Sequence, residues 1–134
     1  MSGAVNTRAF WLVWTVANLY EQLVCTTNEE NSGATLPRTG IGIDASQAGN
    51  CQDNTFINPS IAGLTATGAI GIDIVNGSRN WFFGGTSEAN TKNVQVANIC
   101  GGNTFNGMYL EDAKAGVHVS DQGQWTQWIN CLLP

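Results

Sequence analysis

The sequence predicts an all-β protein built as a single-stranded parallel β-helix of about five turns, and three observations favour this fold class. Charged residues make up only 11% of the 134-residue chain, well below the roughly 25% of an ordinary soluble domain. Glycine is frequent, with 16 residues, and short β-branched runs alternate with turn residues. An internal repeat recurs with a period of about 23 residues, which is typical of a solenoid.

Length and charge exclude several classes of protein. The chain fits one domain, residues 1–134, and its balance of Lys+Arg 5 against Asp+Glu 10 disfavours nucleic-acid binding and coiled coils. No apolar run reaches the roughly 18 residues of a membrane span, so membrane insertion is not expected. The most apolar stretch, Ala9–Ala17, suits either the centre of a secretory signal or a pair of buried strands. Its three bulky aromatic residues favour the strands.

The repeat is clearest in two nine-residue copies, Asn80–Glu88 and Asn103–Glu111. Both follow the pattern N-x-F-x-G-x-x-x-E at an offset of 23 residues. The N-x-aromatic unit also occurs at 54–56 and 18–20, with a degenerate copy at 126–128. From one aromatic residue to the next, the spacings are 36, 26, 23 and 23 residues. The 36-residue step requires an insertion, and the polar segment 26–38 is predicted to supply it as a surface loop.

The repeat places equivalent residues in columns along the solenoid. Turns of a parallel β-helix stack about 4.8 Å apart, and alternate side chains of a strand point to opposite faces. The aromatic residues are expected to stack inward, and the asparagines two residues earlier to form an inward amide ladder. The aromatic column comprises Phe56, Phe82, Phe105 and Trp128, and the ladder comprises Asn54, Asn80 and Asn103.

The G-I-D segments, followed by N-x-F-x-G and a stacked glutamate, resemble the right-handed β-helix of the pectate-lyase superfold. The closest likeness is to the form found in bacteriophage tailspikes and tail fibres, and it covers residues 11–133. The resemblance implies a homotrimer in the virion tail, assembled in the host cytoplasm with other virion tail proteins. It also implies binding, and often cleavage, of bacterial surface polysaccharide. Five turns are few for such a shaft, which suggests a fragment or a subunit of a larger assembly.

Glu88 and Glu111 are the candidate catalytic residues. Their offset equals that of Phe82 and Phe105, so they should stack on adjacent turns, at about the 5 Å separation of retaining glycosidases. The alternatives are a solvated acidic ladder and a pair that binds a cation. Asp112 and Asp121 are each either a third carboxylate or, the favoured interpretation, a turn residue.

The sequence does not contain the motifs of pectinolytic enzymes or of metal sites. The segments expected of pectinolytic relatives (N-T-D, paired Asp, G-H-G and R-x-K) do not occur in the sequence. The single histidine, His118, shares the outward parity and is expected at a surface or interface. One histidine and no C-x-x-C motif give no metal-site spacing, and no cofactor is predicted.

Outward aromatic residues are the candidate binding residues, together with Asp112. Trp81 and Phe83 flank the inward Phe82, and Trp125 shares their parity if its strand extends that far. Exposed rings of this kind stack on sugars or mark a protein interface. Burial between protomers is the favoured interpretation.

The four cysteines are predicted to be free thiols. Cys51 and Cys100 each precede a stacked aromatic residue by five positions, which places them in one column two turns apart. That separation, about 9.6 Å at the rung spacing, exceeds the roughly 7 Å between Cα atoms that a disulfide tolerates.

Three functions remain open from the sequence. The leading one is a tailspike or tail-fibre domain that binds bacterial surface polysaccharide and builds the virion fibre. The second is a polysaccharide depolymerase, either a hydrolase or a lyase, that uses the stacked carboxylates. The third is a structural virion attachment protein that makes no glycan contact.

Overall fold

The computed structural model describes residues 8–26, 38–45 and 51–133. Within these ranges the regular structure is entirely β-strand and no helix occurs. Most of the predicted insertion at 26–38 lies outside the described residues. The strands in chain order are β1 (Arg8–Leu12), β2 (Thr15–Val16), β3 (Leu19–Glu21), β4 (Val24–Thr26), β5 (Thr39–Asp44), β6 (Cys51–Gln52), β7 (Thr55–Ile57), β8 (Ser60–Ala62), β9 (Ile70–Asn76), β10 (Trp81–Phe83), β11 (Thr86–Glu88), β12 (Lys92–Val96), β13 (Thr104–Asn106), β14 (Tyr109–Glu111), β15 (Val117–Asp121) and β16 (Gln127–Ile129).

The strands form parallel sheets in which neighbours come from successive repeats. Sheet I has the order β1-β5-β9-β12-β15, sheet II the order β16-β13-β10-β7-β3 and sheet III the order β14-β11-β8-β4, while β2 pairs with β6. The chain therefore visits the three sheets in the same order in each repeat. This topology confirms the all-β class and the parallel pairing, and it is compatible with a parallel β-helix.

The predicted inward column of aromatic rings is confirmed. Phe56, Phe82 and Phe105 are fully buried, and their rings stack with centroid separations of 4.5 and 4.8 Å. Trp128 continues the column at 4.2 Å from Phe105, and Tyr20 extends it at the other end, 5.0 Å from Phe56. The strand register is the cause, because it aligns these five residues on neighbouring strands.

The predicted asparagine ladder is confirmed as well. Asn80 Oδ1 accepts hydrogen bonds from the backbone N–H of Asn54 at 3.2 Å and from Asn54 Nδ2 at 2.9 Å. Asn103 Oδ1 accepts the equivalent pair from Asn80 at 3.0 and 3.1 Å. Each Nδ2 also donates to a backbone carbonyl near the preceding corner, so the buried amides satisfy backbone groups from rung to rung.

Three columns of left-handed backbone form the corners between the sheets. Their φ angles lie between 49° and 77°, a region that costs a residue other than glycine roughly 1–2 kcal/mol. The glycine of N-x-F-x-G occupies one column, which explains its place in the repeat. The columns are Ala17, Asp53, Arg79, Gly102 and Trp125; Gln22, Asn58, Gly84, Gly107 and Asn130; and Gly63, Ala89 and Asp112.

The cysteines lie in or beside the core as free thiols. Cys25, Cys51 and Cys100 are buried and Cys131 is half-buried. The bridges from Gln52 to Ser78 and from Ser78 to Gly101 place Cys51 and Cys100 in one column, two repeats apart. Burial raises the pKa of the Cys25 and Cys100 thiols, so both thiols are poorly reactive.

Candidate functional site

The two candidate catalytic glutamates lie side by side. Glu88 of β11 pairs with Glu111 of β14 in the parallel register of sheet III, and both side chains are half-buried. Tyr109 lies two residues before Glu111 on the same outer face. Its hydrogen bond to Glu111, with smaller effects of desolvation and of the Glu111 and Glu88 charges, raises the pKa of Tyr109. The geometry gives two adjacent carboxylates beside a phenol that stays protonated at neutral pH.

Of the other two acidic candidates, Asp112 lies at a corner, whereas Asp121 is the last residue of strand β15 and not the turn residue that the sequence favours. Asp112 is exposed, has φ of 52° at the corner after β14, and its carboxylate forms an ion pair with Lys114. Asp121 accepts hydrogen bonds from the N–H of Gly123 at 2.8 Å, from the hydroxyl of Thr126 at 3.2 Å and from Nε1 of Trp128 at 2.8 Å. Asp121 thereby ties the last described turn to the end of the aromatic column.

His118, which the sequence predicts at a surface or interface, contacts a buried polar cluster. It is half-buried, and its Nδ1 lies 3.3 Å from Nδ2 of Asn93. Asn93 belongs to a buried polar cluster with Ser87 and Asn90. Asn90 Oδ1 accepts a hydrogen bond from the N–H of Leu64 at 3.0 Å. Asn90 Nδ2 donates to Asn93 Oδ1 at 3.2 Å. Because Oδ1 of Asn93 is the acceptor in this cluster, the atom that faces His118 is the amide nitrogen Nδ2. That nitrogen donates, so His118 Nδ1 accepts the hydrogen bond. Sequence reasoning missed the cluster because its asparagines do not recur with the repeat.

The outward aromatic residues of β10 lie on the outer face of sheet II, as predicted. Trp81 pairs with Thr55 and Thr104 and is half-buried. Phe83 is 40% exposed. Other apolar side chains of the same face are also accessible, and we call this surface the sheet II face: Leu19, Ile57, Trp81, Phe83 and Ile129.

Trp125 is exposed, but its strand does not extend that far, so the condition for its shared parity is not met. Strand β16 begins at Gln127, and Trp125 occupies the left-handed corner before it, with φ of 57°. Its side chain is 82% exposed. The corner bends the chain out of the sheet, and parity along a strand therefore does not apply.

A slot opens beside Trp125, over the corner column. It is a cavity of about 310 Å³ lined by Ser78, Arg79, Gly101, Gly102 and Trp125. Arg79 is held by Asp53 through two hydrogen bonds of 2.8 Å, and this pairing lowers the pKa of the Asp53 carboxyl. Because Gly102 lies between Arg79 and Trp125 in the column, no side chain fills the space between them. We call this cavity the Trp125 slot.

A second cleft lies on the outer face of sheet I. It is a cavity of about 290 Å³ whose lining includes Trp11, Arg38, Thr39, Asp44 and Asp73. Sequence analysis did not identify it, because Trp11 precedes the first N-x-aromatic unit and meets the other residues only through strand pairing. We call this cavity the sheet I cleft.

The described ranges contain no group of three or more His, Cys, Asp or Glu side chains placed to hold a metal ion. Nor do they include a helix long and apolar enough to cross a membrane. The chain matches no protein-family model, no curated protein and no solved structure. Its function must therefore be inferred from the surfaces described above.

Proposed function

We propose that the chain is a right-handed β-helix domain of a phage tailspike or tail fibre that binds a bacterial surface polysaccharide. The observation that carries the proposal is the exposed indole of Trp125 beside an open slot. A sugar ring offers an apolar face and polar edges, so it suits an exposed tryptophan with polar neighbours. The parallel sheets and their repeated columns support the tailspike-like architecture.

The surroundings of Trp125 suit a sugar ligand. Glycine fills the same corner column one repeat earlier, at Gly102, and leaves the face of the slot open beside the indole. Arg79 lines the slot opposite Trp125, and its guanidinium offers hydrogen-bond donors to sugar hydroxyls.

Replacing Trp125 by glycine tests the proposal. Trp125→Gly removes the ring while relieving the backbone strain, so the fold should be retained or slightly stabilised. We expect binding to the cognate capsular polysaccharide or lipopolysaccharide, found by screening such preparations, to weaken at least about tenfold, equivalent to about 1.4 kcal/mol. Trp14→Ala is the matched control, because Trp14 is 72% exposed and does not line the slot.

Unchanged affinity of Trp125→Gly in isothermal titration calorimetry would contradict the slot as the binding site. If no bacterial polysaccharide in the screen binds the wild-type chain, the glycan-binding proposal fails as a whole. The domain would then be better described as a structural virion attachment protein.

The sheet II face supports a second part of the proposal, a homotrimer in the virion fibre. This face presents five accessible apolar side chains, among them Trp81 and Phe83. Apolar surface arranged along one side of a solenoid suits association with further copies of the same chain. Other tail proteins of the virion would then attach to this shaft.

Polysaccharide depolymerase activity is the alternative function, and the pairing of Glu88 with Glu111 favours it. Adjacent carboxylates of a retaining glycosidase act as acid and nucleophile about 5 Å apart. Glu88→Gln and Glu111→Gln should each abolish the release of reducing ends from the bound polysaccharide, while binding persists. A wild-type chain that releases none from a polysaccharide it binds would reject this alternative.

A further inference from the structure

We propose that the Trp125 slot binds a sugar ring that carries a carboxylate, and that Arg79 selects for this group. This selectivity rests on the proposed function, which assigns glycan binding to the slot without fixing the class of sugar. The slot's volume of about 310 Å³ lies near the lower end of ligand pockets, which span about 300–1,000 Å³. It therefore suits a single sugar unit.

Arg79 and Trp125 form two walls of the slot, two repeats apart in one corner column. Parallel bridges between the preceding residues of each repeat fix this alignment, and twice the rung spacing is about 9.6 Å. Gly102 lies between the walls, and a Cβ atom built there would lie 3.5 Å from Cγ of Arg79, an ordinary van der Waals contact. The absent side chain of Gly102 thus leaves room for a ring between the Arg79 side chain and the indole.

Arg79 keeps part of its guanidinium for a ligand. Its Nε and Nη2 donate to the two carboxylate oxygens of Asp53, each at 2.8 Å, and these bonds orient the group. A guanidinium has five N–H donors, so both N–H groups of Nη1 and the second of Nη2 are left over by Asp53. The side chain is 54% exposed. Nη1 and Nη2 together therefore present a fork of two parallel N–H groups, which a carboxylate accepts bidentately.

The other polar side chains of the slot also supply donors. The indole N–H of Trp125 only donates, and the hydroxyl of Ser78 donates or accepts. The described residues that line the slot include no carboxylate. A sugar hydroxyl brings a donor with each acceptor, whereas an ionised carboxylate only accepts. The donors of the slot therefore match an acidic sugar better than its neutral counterpart.

The acidic groups beside the slot are already engaged. Asp53 pairs with Arg79, so the pair carries no net charge, and Asp121, four residues before Trp125, accepts three hydrogen bonds from its own turn. Selection therefore depends on the directed N–H groups of the guanidinium and not on a positive field. Salt at 0.15 M screens charges over about 8 Å, which limits the repulsion of an acidic sugar by the net charge of -5.

Saturation-transfer NMR at 0.15 M salt with matched pairs of ligands tests the selectivity. The pairs are methyl glucuronide with methyl glucoside, and methyl galacturonide with methyl galactoside. The members of each pair differ only at C6, where a carboxylate replaces a hydroxymethyl group. In at least one pair we expect the wild-type chain to bind the acidic member at least about tenfold more tightly, because charge-assisted bidentate bonds are the stronger ones.

Variants of Arg79 separate the fork from the charge. Arg79→Gln should abolish the preference for the acidic member, and Arg79→Lys should lose most of it, because lysine keeps the charge but lacks the planar fork. Lys114→Gln is the matched control and should leave the preference unchanged. Lys114 also pairs with an aspartate, but it does not line the slot.

Trp125→Gly supplies a second readout. It should weaken both members of a pair by a similar factor, because the indole stacks on the ring whatever its charge. The selectivity is overturned if no acidic member binds, if the neutral member binds equally well, if Arg79→Gln keeps the preference, or if Trp125→Gly binds like the wild type. Trp125-dependent binding of a neutral polysaccharide alone would overturn the selectivity and leave the proposed function standing, whereas the proposed function fails if no bacterial polysaccharide binds.

Discussion

At the scale of single residues, backbone strain is concentrated at the corners between the sheets. Nine described residues other than glycine have positive φ, and each does so where the chain passes between sheets or closes a turn. The strain is tolerated because the parallel strands of the neighbouring repeats hold each corner on both sides. Substitutions in these columns therefore act through backbone conformation more than through contacts.

Opposite substitutions at two corners test this view. Ala89→Gly should raise the free energy of unfolding by up to about 1 kcal/mol, because φ of 51° strains alanine and suits glycine. Gly107→Ala should lower it by about 1–2 kcal/mol, since φ is 71° and a Cβ would meet no atom closer than 3.9 Å. Urea denaturation measures both changes. Equal signs for the two variants would contradict the conformational explanation.

Thiol reactivity should follow burial. At pH 8, Cys25 and Cys100 should react slowly with a disulfide reagent, because their raised pKa values keep them protonated and burial blocks access. Cys131, which is half-buried, should react first, and all four thiols should react after unfolding. Rapid titration of all four thiols in the native state would mean that the core opens readily.

At the scale of elements, the strands are too short to be stable individually, and the columns hold them together. Strands of sheet II contain three residues each, and each contributes one ring to the stack. The amide ladder precedes that stack by two residues in every complete unit. The stacked rings bury apolar surface. The amides form hydrogen bonds with backbone groups at the corner, where the backbone hydrogen bonding of the sheet ends.

Truncation of one member of each column should be severely destabilising. Phe105→Ala should lower the free energy of unfolding by about 3–5 kcal/mol through the cavity it leaves. Asn80→Ala should cost about 1–3 kcal/mol, because it leaves the buried N–H of Asn54 without its acceptor. Asn106→Ala, on the outer face of β13, is the control and should change stability by less than about 0.5 kcal/mol. Equal effects for Asn80 and Asn106 would refute the ladder's role.

At the scale of the whole molecule, the chain carries two tryptophan-lined cavities and one apolar face. The Trp125 slot and the sheet I cleft lie on different parts of the surface, and the sheet II face is a third region. Under the proposed function, the sheet II face would serve self-association and the Trp125 slot would serve glycan binding. Sparse charge does little to keep copies apart.

Charge introduced on the sheet II face should prevent self-association. We expect the wild-type chain to be a trimer in solution, and Trp81→Glu to dissociate it or make it insoluble, because a carboxylate would be buried in the contact. Multi-angle light scattering measures the mass. Gln122→Glu, at an exposed position outside sheet II, is the matched control. A stable wild-type monomer would contradict the trimer and leave Trp81 as a possible sugar contact.

The sequence predicts those features that recur and misses those that do not. The aromatic column and the amide ladder were predictable because identical residues at fixed offsets must align in a parallel register. The Asn90–Asn93 cluster was missed because it occurs in one repeat only. The corner at Trp125 was missed because parity says nothing about where a strand begins. The sheet I cleft was missed because Trp11 meets Asp73 across a separation that includes the 36-residue step.

The register also has a kinetic consequence. The closest strand partners in the chain are 22 residues apart, as in Asp73 and Gln95, and the described strands form no hairpin. Every first contact must therefore close a long loop, which makes folding slow and dependent on a nucleus of two adjacent rungs. Closing the 23-residue step between Phe82 and Phe105 is less costly in chain entropy than the 36-residue step from Tyr20 to Phe56, by about 0.4 kcal/mol. Folding should thus start with the pairing of β10 and β13. Each completed repeat then exposes a strand edge on which the strands of the next repeat can pair.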